Sequence, residues 1–158
     1  MILYHGTNES FTAVDLKKSR IGKDFGMGFY LTPSFEIAKR QAQRKFVQYG
    51  TGGVQVYSFS FDDSDADKLK VLRFDCHEYT MKWADFIMLN RSNKSSVQAH
   101  DYDVVIGPIA DDTVGYQIRR LEDGIITKGQ FLEMIKFNFI TVQYLFATEK
   151  SLTFLKRL

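Results

Sequence analysis

The sequence predicts a mixed α+β domain spanning residues 1–158, and three observations carry that prediction. Short β-prone runs alternate with stretches of helical period, but without the regular strand-helix-strand repeat of a doubly wound sheet. Aromatic residues make up 15% of the chain, with 14 Phe and 8 Tyr, a composition that favours a sheet-rich core. Tyr102-Asp103-Val104-Val105-Ile106-Gly107-Pro108-Ile109 is a compact β-branched run closed by Gly-Pro, the clearest buried strand in the chain. A length of 158 residues is enough to close one core and enclose a small-molecule cleft.

In chain order, Ile2-Leu3-Tyr4-His5-Gly6-Thr7 is a strand that starts almost at the first residue and ends at its glycine. Residues 8–23 are polar and basic with no sustained apolar period, so they form a loop with one short helical turn. Asp24-Phe25-Gly26-Met27-Gly28-Phe29-Tyr30-Leu31-Thr32 is a tight glycine turn feeding a strand. A serine or threonine of Thr32-Pro33-Ser34, before acidic Glu36, then starts a helix that runs to near Gly50, with Phe35, Ala38, Ala42 and Phe46 on one face and Lys39, Arg40, Arg44 and Lys45 on the other. Residues 54–61 alternate as a strand. The acidic run Asp62-Asp63-Ser64-Asp65-Ala66-Asp67 reads as a solvated loop, because the turn glycine and closing glutamate of a calcium loop are missing. A short strand over 69–74 precedes a helix over 78–90, whose shared face carries Trp83, Phe86, Ile87 and Asn90. Residues 91–98 read as loose and polar. After the 102–109 strand, one or two helices break at Gly124 and resume across Phe131, Leu132 and Ile135. A strand over 139–148 follows, and Thr148 or a neighbour caps a last helix carrying Leu152, Leu155 and Leu158.

Composition excludes several function classes. Twenty-one basic and 19 acidic residues leave a net charge of only +2, so no global field marks a nucleic-acid binder. Local basic clusters at 17–20, 39–45 and 119–120 read as solvated faces. One cysteine, Cys76, rules out an intramolecular disulfide, and His5, His77 and His100 lack zinc-site spacing, so no metal is expected. No apolar run approaches the roughly 20 residues of a membrane span, and the first residues lack a signal-peptide pattern. The expected location is the cytoplasm, with no membrane partner.

Three polar or aromatic residues occupy strand positions where something blander would serve: His5, Tyr30 and Gln143. His5 stands beside a glycine whose missing side chain leaves its peptide open to a ligand. Tyr30 offers a π face to a cation, an attraction of roughly 0.5 to 2 kcal/mol. In order and character these three resemble the triad of the ADP-ribosyltransferases of the diphtheria-toxin and poly-ADP-ribose polymerase type. Tyr4-His5-Gly6-Thr7 is similar to that superfamily's first motif. Phe25-Gly26-Met27-Gly28-Phe29-Tyr30-Leu31-Thr32 is similar to its glycine-tyrosine signature, with Met27 standing for a lysine. Val142-Gln143-Tyr144-Leu145-Phe146 is similar to its third motif, with Gln143 in place of the usual glutamate. Over its whole length the chain also resembles a bacterial family of uncharacterised domains in that superfamily. The shared features there include residues 83–91 and 103–112.

The resemblance implies split mixed sheets with flanking helices around an NAD cleft. It implies His5, Tyr30 and Gln143 as catalytic residues, and His5, Gly6, Thr7, Gly28, Phe29 and Tyr30 as contacts to NAD, the co-substrate. His5 would fix a ribose hydroxyl, the Gly6 peptide would pair with the nicotinamide carboxamide, and Tyr30 would stack on the pyridinium ring. Gln143 keeps the hydrogen bonds of a glutamate but neither its charge nor its basicity, so a single transfer is expected rather than chain extension. Asp111, Asp112 and Glu149 are alternative carboxylates. The superfamily's second stacking aromatic corresponds to Gln41, and Phe46 or Tyr49 could approach instead. The implied activity is mono-ADP-ribosylation of a macromolecule, protein rather than nucleic acid, by a bacterial toxin or effector with a cognate antitoxin or inhibitor protein. A binding module that has lost the chemistry, and an NAD glycohydrolase, are the alternatives.

Overall fold

Two short sheets meet at a single strand junction in the computed structural model, which describes residues 1–136 and 138–158. The side chain of Asp65, part of the acidic run, also lies outside the described residues; the backbone there forms a 3-10 helix over Asp63–Lys68. In the first sheet, β1 (Ile2–Thr7) pairs antiparallel with β3 (Gln55–Ser60), and β3 with the terminal β7 (Lys156–Arg157). In the second, the order is β2 (Phe29–Leu31), β6 (Val142–Phe146), β5 (Val104–Pro108) and β4 (Val71–Arg73), with only β4 and β5 parallel. The sheets join where Tyr4 and Thr32 exchange two backbone hydrogen bonds of 2.8 and 2.9 Å. The chain is thus an α+β fold with mixed sheets and flanking helices.

Period-two alternation explains why the second sheet is buried on both faces. Phe29, Leu31, Val104, Ile106, Tyr144 and Phe146 point at Leu3 and Phe59 of the first sheet and at Phe61 just past its end, and close one core. Val105 and Leu145 point the other way, into a core completed by Phe25 and by helices α2 (Met81–Ser92), α3 (Asp112–Glu122) and α4 (Lys128–Ile135). Trp83 is fully buried at its centre, and its indole Nε1 donates to the Pro108 carbonyl at 3.0 Å, so no polar cost offsets its burial. Helix α1 (Phe35–Tyr49) is capped by the Ser34 side chain and packs on β1 through Ala38 and Ala42.

Several sequence expectations need correction. Phe35 and Phe46, read as the ends of the buried stripe of α1, are exposed, because Ala38 and Ala42 bring the helix too close to β1 for larger neighbours to tuck in. α2 starts at its Thr80 cap rather than at residue 78, and extends through Arg91 and Ser92. The strand expected over 139–148 begins only at Val142. The last helix, α5 (Glu149–Leu152), stops short of Leu155, and the chain turns back as β7, where Arg157 pairs with Phe59. Residues 91–98 are not loose, as the site shows. Among the described residues no helix is long and apolar enough to cross a membrane, and no group of three His, Cys, Asp or Glu is placed to hold a metal.

Candidate functional site

The β1–β2 junction fixes where the sequence-predicted residues stand. Tyr4 directs its N–H and C=O at Thr32, so Gly6, two residues on, turns its peptide groups to the same side, just past the point where the strands part. Gly6 can hold this position only as glycine: a Cβ there would lie 1.8 Å from the Ala38 carbonyl oxygen of α1. Its own carbonyl accepts from Lys45 Nζ at 2.9 Å.

His5 lies across the junction from β2, with Nδ1 2.7 Å from the Tyr30 carbonyl oxygen. A carbonyl only accepts, so Nδ1 carries the proton and Nε2 keeps a free lone pair in the neutral ring. Burial, with help from the Lys45 charge, holds the His5 pKa down to about 4 against the opposing Tyr30 bond. The ring is neutral at physiological pH and stacks on Phe29 at 4.4 Å between centroids.

Tyr30 and Gln143 lie on the opposite face of the second sheet from Phe29. Tyr30 pairs with Leu145, and Gln143 is two residues before Leu145, so the two side chains share a face. The Tyr30 hydroxyl donates to the Gly26 carbonyl at 2.7 Å and accepts from the Phe25 amide at 3.1 Å. Burial drives its pKa far above the usual phenol range. Its ring face carries the Lys23 ammonium, 4.9 Å from the centroid. Gln143 is buried, and its Nε2 donates to Pro108 O at 3.4 Å, which identifies the nitrogen end of the amide and turns Oε1 away from that carbonyl.

A cleft of about 600 Å³ opens beside this junction. Of the predicted residues, His5, Thr7, Gly28 and Phe29 line it, whereas Gly6, Tyr30 and Gln143 do not. Thr7 is buried and spends an oxygen lone pair on the Glu9 amide at 3.2 Å. Gly28 has φ +150°, and a Cβ there would meet Leu145 Cδ1 and the Phe146 carbonyl oxygen, both at 2.5 Å. Its N–H goes to Ser19 Oγ at 2.7 Å and is not available to a ligand.

The cleft's charge has no mark in the sequence, because basic residues at 17–20 and 39–45 look like solvated faces. Arg20, Lys23 and Lys45 instead converge on the cleft with Lys18, and outnumber the two carboxylates that line it, Glu9 and Asp15. Burial lowers the Lys45 pKa to about 8, with Lys23 and Arg20 adding to the shift and Glu9 opposing it. Lys23 is lowered as well, by burial first and then by Arg20, against Asp24. Cations that depress one another in a concave site favour an anionic ligand. Tyr49 lines the rim under Arg20, 5.5 Å from its ring centroid, whereas Phe46 does not line the cleft and Gln41 is exposed. Asp111 spends one carboxylate oxygen capping α3, Asp112 pairs with Arg44 on the surface at 3.4 Å, and Glu149 lines a separate depression.

The family model described as a protein of unknown function, DUF3990, matches residues 1–157. The chain belongs to the DUF3990 family. No curated protein and no solved structure matches it. In this DUF3990 domain the loop before β2 is set by residues outside the three strand motifs. Gln98 clamps Met27 with two hydrogen bonds of 2.8 and 2.7 Å, His100 Nε2 donates to Phe25 O at 2.8 Å, and Arg91 pairs with Asp24 at 2.8 Å. Such backbone clamps, contributed 67 to 75 residues away, leave no local signature in a sequence.

Proposed function

We propose that this domain has an ADP-ribosyltransferase-like fold and acts as an NAD-dependent mono-ADP-ribosyltransferase. The observation that carries the reading is the convergence of Arg20, Lys23 and Lys45 on the cleft that opens at the His5 end of β1. A diphosphate answers that charge, and a cavity of about 600 Å³ falls within the size range of small-ligand sites. The neutral His5 accepts a ribose hydroxyl at Nε2. The Gly6 peptide takes the carboxamide once Lys45 yields its carbonyl, and the Tyr30 face takes the cationic ring in place of the Lys23 ammonium. Gln143, on the Tyr30 face, offers Oε1 to a ribose hydroxyl, while Thr7, Gly28 and Phe29 shape the wall. The bond that breaks joins nicotinamide to its ribose, and no step calls on a metal.

A second reading has its own support. Gln143 is buried and does not line the cleft, as suits a module that holds NAD or ADP-ribose without cleaving it. Incubation of the purified protein with NAD separates the two. Nicotinamide release is expected to fall by about a hundredfold in His5→Ala. Binding by calorimetry with release no faster than in that variant would leave only the module. ADP-ribose recovered on a macromolecule rather than free in solution distinguishes transfer from hydrolysis.

A further inference from the structure

Lys45 differs from the other cations of the cleft. Contrary to the polar face expected of it, Lys45 stands one turn past Ala42 on the face of α1 that packs on β1, and its side chain reaches the Gly6 carbonyl. Among the described residues no carboxylate lies within ion-pair distance of it. The groups facing it are Lys23, Arg20 and Glu9, with His5 on the adjoining strand.

The chemistry of Gln143 sets what an acceptor must bring. An amide cannot take a proton from an attacking hydroxyl, so this site favours a nucleophile that is strong while neutral. Neutral serine and threonine hydroxyls are weak nucleophiles. The Lys45 amine is a strong one, and burial and its cationic neighbours hold its pKa to about 8, so that a substantial fraction is neutral near that pH.

We propose that Lys45 is itself an acceptor of ADP-ribose, so that the protein modifies the wall of its own cleft. This rests on the NAD-cleaving reading above. The Nζ lone pair forms a bond to C1′ of the nicotinamide ribose as the C1′–nicotinamide bond breaks. The electron pair of the broken bond leaves on nicotinamide, which passes from cation to neutral base. The new secondary ammonium then loses its extra proton to water. Because the adduct grows from inside the cleft, it excludes a second dinucleotide, and the modification is single and self-limiting.

The test incubates full-length protein with NAD labelled in its ADP-ribose portion, quantifies released nicotinamide, and maps the label by peptide mass spectrometry. The expected result is label on Lys45 and a slowing of nicotinamide release as that label accumulates. In Lys45→Arg, which keeps the charge but stays protonated, label per nicotinamide released should drop about tenfold or more. In Lys39→Arg, on the exposed side of α1 and outside the cleft, the label should remain on Lys45. Excess unlabelled ADP-ribose should not dilute it, since a free sugar aldehyde plays no part. Nicotinamide release with label absent, spread evenly over Lys18, Lys23 and Lys45, or diluted by free ADP-ribose overturns the proposal and leaves the NAD-cleaving function standing. No release above His5→Ala overturns both.

Discussion

Residues 24–28 and residues 8–23 both border the cleft, yet they are held in opposite ways. The first has almost every polar group paired to a distant side chain: Arg91 on Asp24, His100 on Phe25, the Tyr30 hydroxyl on Phe25 and Gly26, Gln98 on both sides of Met27, and Ser19 on Gly28. The Phe25 ring between them is fully buried. The second segment is tied down at Asn8 by Thr51 and Gly53, at Ser10 by Gln55 and at Phe11 and Thr12 by Arg157, meets the first through Ser19 and the Lys23 carbonyl, and carries most of the charge of the cleft. One wall is a fixed frame built mostly from neutral hydrogen bonds, and the other holds cations near one another without full compensation. Frames of this kind position a ligand, and unpaired charge attracts it.

The largest expected effect breaks the frame. Gly28→Ala places a methyl 2.5 Å from both Leu145 Cδ1 and the Phe146 carbonyl oxygen at a φ that L residues avoid, and should cost about 3 kcal/mol or more in urea unfolding. Gly22→Ala, in the other segment, meets nothing closer than Arg91 O at 3.6 Å and should cost only about 1 kcal/mol for its positive φ. Equal costs would erase the distinction between the two walls.

Acid should separate the walls next. With a folded pKa of about 4 against an ordinary 6.5, His5 binds fewer protons folded than unfolded between those values. Stability from its neutral burial is therefore complete above pH 6.5 and lost as pH falls through 4, a loss of about 3 kcal/mol. Protonation adds a fifth cation beside Lys18, Arg20, Lys23 and Lys45. His100 is lowered in the same sense by burial, against its donor bond to Phe25 and the Asp101 charge, and its protonation would also take the Nδ1 acceptor from the Tyr102 N–H. Urea titrations from pH 7 to 4 should show the decline, and His5→Gln should flatten most of it. A decline unchanged by that substitution would place the sensitivity elsewhere.

Which parts of the molecule were legible in the sequence follows from where their causes lie. β1, β5 and α1 carry local causes: a β-branched run, a Gly-Pro stop, a serine cap and a small-residue stripe. Their strands and helix appear close to where those signals put them. α5 misled because Leu152, Leu155 and Leu158 keep a helical spacing, while Arg157 pairs with Phe59 some 100 positions earlier and ends the helix. The same limit governs the site. His5, Gly6 and Tyr30 stand at strand positions a motif can mark, whereas the inward turn of Lys45 depends on the approach of α1 to Gly6, and the Gln98 clamp on a loop crossing to Met27.

The smallest expected effect tests how the open wall is held. Arg157 donates to the Phe11 and Thr12 carbonyls at 2.7 and 3.3 Å and lies over the Tyr57 ring at 4.4 Å, a cation-π contact at an exposed site. Such contacts are worth about 1 kcal/mol or less together. Arg157→Ala should therefore barely move the global unfolding midpoint. It should raise hydrogen exchange and proteolytic cutting within residues 8–23, since a strap released at a loop acts on local opening rather than on the core. Residues 24–28 share none of these bonds, so their exchange should stay at the wild-type rate. If protection fell in both segments together, the two walls would move as one body and the strap would belong to the frame.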